Sequence, residues 1–199
     1  MTTELNARLT AEADRIILEL FLKKFQTHFY NLFFAIAGSM ALLMMVGRGL
    51  FEIGSLSQRS TRHIAAKNLT QFAVCCLIYF SIGHGLSKRA FGGFYGTRSY
   101  FMLDVAEQEF SRFFLDLVSC WFCVSVASAT LCERTFSGTH AFIALFISGI
   151  LYPIASSWVW GGGWLNEMGF IDQSGASVIH VLGGMVGLIG TIILKPRLN

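Results

Sequence analysis

Polar and apolar residues fall in blocks along this chain rather than alternating singly. Five apolar stretches run over residues 29–51, 69–87, 113–132, 139–159 and 176–194. Each is close to the ~20 residues that an α-helix needs to cross ~30 Å of hydrocarbon. Charges and turn residues gather between them, in Gln58-Arg59-Ser60-Thr61-Arg62, Gly92-Gly93-Phe94-Tyr95-Gly96, Cys132-Glu133-Arg134 and Gly161-Gly162-Gly163. The pattern predicts an all-α integral membrane domain of about five transmembrane helices over residues 29–199. Ahead of it, Leu5, Leu9, Ile16, Leu20 and Phe21 recur at three- or four-residue spacing with charges between them. That is the periodicity of an amphipathic helix over residues 5–28, with Thr10 as a candidate cap. Residues 1–28 are therefore read as an N-terminal extension, either a surface helix lying on the rest of the protein or one docked at the membrane interface.

Composition agrees. Of 199 residues 54% are hydrophobic and 14% charged, too little polar surface for a water-soluble domain of this size. A net charge of +3 and the lack of any nucleic-acid module exclude nucleic acid as a partner; lipid is the expected surround. Residues 1–28 carry Glu4, Glu12, Asp14 and Glu19 without a continuous apolar core, unlike a cleaved signal or an Arg-rich presequence. Cys75, Cys76, Cys120, Cys123 and Cys132 all lie in apolar surroundings. Cys120-Trp121-Phe122-Cys123 has the CxxC spacing, but no second pair accompanies it, so buried thiols are expected rather than a metal or redox centre. No nucleophile–base pair, phosphate loop or metal cluster is present, which argues for a non-enzyme without a cofactor.

Orientation is not legible. With five spans, Arg59, Arg62, Lys67, Arg134, Lys195 and Arg197 fall on one side, against Arg8, Arg15, Lys23, Lys24, Lys88, Arg89, Arg98 and Arg112 on the other, too even for the positive-inside rule. The protein is expected to be multi-pass, in a plasma membrane or a mitochondrial inner membrane.

Polar residues in and near the last span are the candidate chemistry. His180 sits about five residues into it, without a charged neighbour in sequence; an ionisable group at that depth is costly and tends to face a cavity or partner. Asp172, before Gln173-Ser174-Gly175, is placed as an N-cap carboxylate would be. His180 follows eight residues later, ~12 Å deeper at the helical rise. Trp158, Trp160 and Trp164 surround the glycine run: an interfacial belt on one reading, an indole face for a cation on the other. Gly183 and Gly187 form GxxxG, for helix packing within the chain or an oligomer contact.

From Tyr152-Pro153-Ile154 through Trp160-Gly161-Gly162-Gly163-Trp164-Leu165 to Gly169-Phe170-Ile171-Asp172-Gln173-Ser174-Gly175, and on to His180-Val181-Leu182-Gly183-Gly184, the chain resembles the ammonium transporter (Amt) family. Phe51-Glu52-Ile53-Gly54-Ser55, Lys67-Asn68, Gly83-His84-Gly85-Leu86, Phe91-Gly92-Gly93-Phe94-Tyr95-Gly96-Thr97 and Cys132-Glu133-Arg134-Thr135 are similar to that family's helix ends and loops. The likeness covers residues 30–197. It implies helices one to five of an eleven-helix, trimeric fold built on an inverted repeat. It also implies substrate-binding roles: Trp160 in an aromatic cage for ammonium, Asp172 as the vestibule carboxylate, and His180 as the first pore histidine.

The sequence departs from the family in three places. It stops at Lys195-Pro196-Arg197-Leu198-Asn199, where the family crosses into its second half. The two stacked gate phenylalanines fall on Leu115 and Ser119, and the glutamine beside the first on Asp116, with Trp121 and Phe122 expected to point elsewhere. Ser57-Gln58-Arg59-Ser60 replaces an Arg-x-Lys-Asn. These departures lead to the expectation of a structural or accessory subunit of a larger membrane complex, reduced to the first half of the fold and without autonomous transport. Other transmembrane subunits would cover the His180 face. The alternative is a split ammonium channel completed by another chain.

Overall fold

A computed structural model describes residues 2–55, 61–88, 90–97, 99–103, 105–106, 109–132 and 134–195, with side chains described from residue 12 onward and those of residues 90 and 91 excepted. Residues 57–60, Arg89, Arg98, Glu133 and residues 196–199, to which loop and charge assignments were made above, lie outside that set.

Among the described residues, five helices are long and apolar enough to span a membrane. α1 runs Thr2–Ser55, α2 Thr61–Ser87 and α3 Phe110–Ala129. α4 runs from Ser137 through Tyr152–Val159, and after the short α5, Trp164–Glu167, comes α6, Ala176–Leu194. The glycine-rich loop after α2 closes as a two-stranded antiparallel hairpin, β1 Ala90–Phe91 against β2 Tyr95–Gly96.

The hub is α3. It packs against α1, α2, α4 and α6 and buries Val118, Cys120, Trp121, Cys123, Val124, Ser125, Ala127 and Ser128 around much of its circumference. Small Cys, Ser and Ala side chains let neighbouring backbones approach on several sides, which favours helix association where lipid offers no hydrophobic force. The thiols of Cys75, Cys120, Cys123 and Cys132 are buried and free. Burial pushes the Cys132 thiol, in the turn after α3, above its ordinary pKa.

The second span starts earlier than its apolar stretch suggests. Thr61–Ile78 is already helical, so Lys67 and Asn68 lie two turns inside α2 and Lys67 is fully buried. Two wide π-helical turns, Tyr79–Gly83 in α2 and Ile147–Leu151 in α4, meet each other. A Cβ on Gly83 would stand 2.6 Å from the Ser148 carbonyl, so the closest approach requires glycine.

The expected extension and first span form one uninterrupted helix of 54 residues, about 81 Å at the α-helical rise. Its inner face begins at Asn31 and continues through Phe34, Gly38, Leu42, Met45, Gly49 and Glu52 at three- or four-residue steps. Residues 12–30 do not lie on the rest of the protein. All but the half-buried Thr27 are exposed, Leu18, Leu22, Phe25 and Phe29 among them.

Candidate functional site

The loop between α4 and α6 is organised by its backbone. Gly162 adopts φ +76°, open to glycine without strain. At Gly163 a Cβ would lie 2.6 Å from the Trp158 Cα, 2.7 Å from the Ser157 carbonyl and 2.9 Å from that of Gly93. The Trp-Gly-Gly-Gly run therefore presses the end of α4 against the β1–β2 hairpin. The Phe94 carbonyl closes the contact, accepting from Trp158 Nε1 at 2.8 Å and from Ser157 Oγ at 3.1 Å. Trp158 and Trp164 meet edge-on, ring centroids 5.7 Å apart. Trp160 is half-buried and packs against the core.

Asp172 Oδ1 accepts the Ser177 amide at 2.8 Å. The carboxylate thus serves the first turn of α6, though not from the N-cap position: that residue is Gly175, in the left-handed region at φ +78°. The chain makes an extra turn between carboxylate and helix, and Asp172 reaches across it. The opening turn of α6, Ala176–Val181, is π-helical, a widening common at functional sites. His180 lies on it, exposed on the surface of the chain.

Gly183 and Gly187 are buried on α3. A Cβ on Gly183 would be 2.7 Å from the Cys123 carbonyl, and one on Gly187 2.8 Å from Thr130 Oγ1. Thr130 Oγ1 also donates to the Gly187 carbonyl at 3.3 Å.

Phe122 does not point elsewhere. Seven residues, two helical turns, separate it from Leu115, so Leu115, Ser119 and Phe122 share one face of α3. The Phe122 ring meets His180 edge-on at 4.9 Å. Arg48 of α1, which the sequence reading passed over, sits with its guanidinium carbon 5.9 Å from the centroid of the same ring, within cation–π range. A charged group, an aromatic ring and an imidazole thus line up across α1, α3 and α6. The signal available in sequence was an arginine between two glycines, Gly47-Arg48-Gly49, inside an apolar span.

Two further polar clusters were not foreseen. Near the hairpin, Lys88 Nζ pairs with Asp116 Oδ2 at 2.8 Å. The wholly buried His84 lies edge-on to Phe113 at 5.2 Å. At the opposite end, Lys67 donates to Glu52 Oε1, Asn68 Nδ2 donates to Glu52 Oε2 at 3.2 Å, and Ser128 Oγ donates to Gln71 Oε1 at 3.2 Å. The buried His140 shares a 2.9 Å hydrogen bond between Nε2 and Thr135 Oγ1.

Residues 32–199 match the family model described as Ammonium Transporter Family. The chain is 30% identical over 179 residues to ammonium transporter Amt2 of Archaeoglobus fulgidus, an alignment covering 82% of this chain and 38% of that protein. It is 27% identical over 166 residues to ammonium transporter 3 of Dictyostelium discoideum, again covering 82% and 38%. Among solved structures, one titled Sensor Amt Protein superposes with a TM-score of 0.84 at 29% identity, covering 88% of this chain and 46% of that one. The chain spans less than half the length of these relatives.

Proposed function

The chain belongs to the ammonium transporter family and is an integral, multi-pass membrane protein, and from that premise we propose that it works as a structural or accessory subunit that does not move ammonium by itself. Members of the family are transporters or channels, so the chain is not read as an enzyme. The division into an extension over residues 1–28 and a membrane domain over residues 29–199 is part of the same reading.

One observation carries the proposal. The face on which a conduction path would run holds His180, exposed, and a guanidinium whose carbon lies 5.9 Å from the centroid of the ring beside it. A permeating cation on that face meets a fixed positive charge, the arrangement by which pores exclude cations. An exposed imidazole at membrane depth also calls for a covering surface, because lipid cannot satisfy its polar atoms. Other transmembrane subunits, seated over His180, would supply it.

A second reading has an observation in its favour. Phe122 places an aromatic ring against His180, and Asp172 is held at the mouth of the same helix. Trp160, Asp172 and His180 would then bind ammonium in a path completed by another chain or segment.

Purified protein in liposomes, with an internal pH dye and an imposed ammonium gradient, separates the two. The subunit reading expects uptake no faster than through empty vesicles. Uptake above that level which disappears in His180→Ala defeats it and establishes the transporter.

A further inference from the structure

α1 is longer than the membrane it crosses. Its inner face from Asn31 to Glu52 measures about 33 Å at the helical rise, enough by itself for ~30 Å of hydrocarbon. Towards the N-terminus come Lys23, Lys24, Gln26, Thr27 and His28, polar residues suited to a headgroup zone. Residues 12–22 carry the same helix beyond them. There Ile16, Ile17, Leu18, Leu20, Phe21 and Leu22 are 53–64% exposed. Because the helix is uninterrupted, it cannot fold over to lay these side chains on the lipid surface. Apolar surface of that extent, left in water, marks an interaction site.

One line of contact runs through it. Leu18, Leu22, Phe25, Phe29, Leu32 and Ile36 follow one another at alternating steps of four and three, the spacing of a coiled-coil seam, and are 48–62% exposed. The seam lies on the side of α1 opposite its inner face. Phe25, the one apolar residue among positions 23–28, falls on it. The neighbouring lines at that spacing meet charge: Ile16 and Leu20 lead to Lys23, and Ile17 and Phe21 lead to Lys24 and His28. On the seam the next charge is Arg15, one step before Leu18. In the other direction the line drifts round the helix, as a seven-residue repeat does on an undistorted α-helix. Val46, Leu50 and Ile53 line a groove with Leu69 and Phe72 of α2 instead.

We propose that a second copy of the chain docks on this seam, parallel and in register, through residues 18–36. Copies inserted in one membrane with one topology hold each seam residue at the same height, so every seam residue meets its own counterpart. Contact along the seam also keeps Lys23 and Lys24 of one copy away from those of the next, whereas either neighbouring line would set like charges face to face. The six seam residues present roughly 650 Å² of exposed side chain per chain, about the ~600 Å² a side at which specific interfaces begin. Most of the seam precedes residue 32, where the family match starts, so the contact belongs to this chain's own extension. It does not depend on whether the protein conducts ammonium, and it leaves the His180 face free for other subunits.

The test is disulfide cross-linking of the full chain in the membranes of the expressing cell, with copper phenanthroline as oxidant. Phe25→Cys and Phe29→Cys put a thiol on the seam; Leu20→Cys and Lys24→Cys put one elsewhere on the same exposed stretch of helix. All four positions are exposed, so none of the variants disturbs the bundle. The expected result is a strong two-chain band from both seam variants, well above the bands from the off-seam variants and from the unaltered chain with its own cysteines. Adding Leu22→Glu to Phe25→Cys should bring that band down to the off-seam level, because it sets a carboxylate opposite its own copy one turn away. Equal bands at all four positions would indicate random collision. Absence of a band from the seam variants would mean that another protein, or nothing, covers the seam. Either result, or a Phe25→Cys band that survives Leu22→Glu, overturns the proposal.

Discussion

The two ends of the helix bundle are held together by different physics. At the end near Trp160, beside the partly buried Lys88–Asp116 pair, most fixing contacts run through the backbone: glycines where no Cβ fits, the Phe94 carbonyl accepting two side-chain donors, and an aspartate caught by a helix amide. At the Ser55 end they run through buried polar side chains: Lys67 with Glu52, Gln71 with Ser128, His140 with Thr135. Those backbone contacts tolerate a change of charge but not added volume. A charge-built end has the opposite weakness, since removing one partner strands the other in a low-dielectric interior.

The largest expected effect follows from that weakness. Lys67→Met leaves the Glu52 carboxylate buried without its ion partner and should destabilise the chain by about 3–5 kcal/mol. The double variant Glu52→Gln, Lys67→Met should recover much of the loss, because neither change then leaves a bare charge. Chemical or thermal denaturation of purified protein in detergent measures both. A single-variant loss below about 1 kcal/mol, the range of an exposed pair, would mean that water reaches this end and that the contrast is false.

Gly163→Ala probes the other end. The new methyl meets backbone atoms of Trp158, Ser157 and Gly93 that cannot turn aside as a side chain can, so a loss of about 1–3 kcal/mol is expected, the usual range for overpacking. The damage should centre on the hairpin contact, and faster hydrogen exchange at the Trp164 amide, which donates to the Gly93 carbonyl, is the signature to look for. Unchanged stability and exchange would show that the loop has slack.

Asp172→Ala carries the smallest effect of the three. It removes the acceptor of the Ser177 amide at a partly open helix start, and the expected cost is about 0.5–2 kcal/mol. Asp172→Asn keeps a side-chain acceptor and should retain more of the stability. If Asn and Ala cost the same, the negative charge rather than the hydrogen bond matters there, and the Trp160 end is less purely a backbone construction than the geometry indicates.

The same contrast explains what was legible in advance. The number of spans, the all-α class and the glycine-rich turns are written locally: an apolar run of membrane length and a glycine cluster each mean much the same in any context. The family likeness rested on such segments, and the residues that carry it cluster where the backbone is constrained. Lys67, by contrast, reads as a residue at the opening of the second helix, because a charge beside an apolar stretch marks its boundary in sequence. Only the packing of α2 against its neighbours places it in the interior, opposite a glutamate fifteen positions away. The face of Phe122 was legible in its seven-residue spacing from Leu115, two turns of helix; what only the packing decided is that His180 lies across from it.

Composition and periodicity by themselves determined that this is a helical membrane protein, since the solvent of each segment is set by that segment's own side chains. Tertiary structure alone decided the meeting of Arg48, Phe122 and His180 and the sharing of Glu52 by Lys67 and Asn68. Those contacts join residues on different helices, and electrostatics at membrane depth depends on how far apart charges end up in space, a distance that no local pattern encodes.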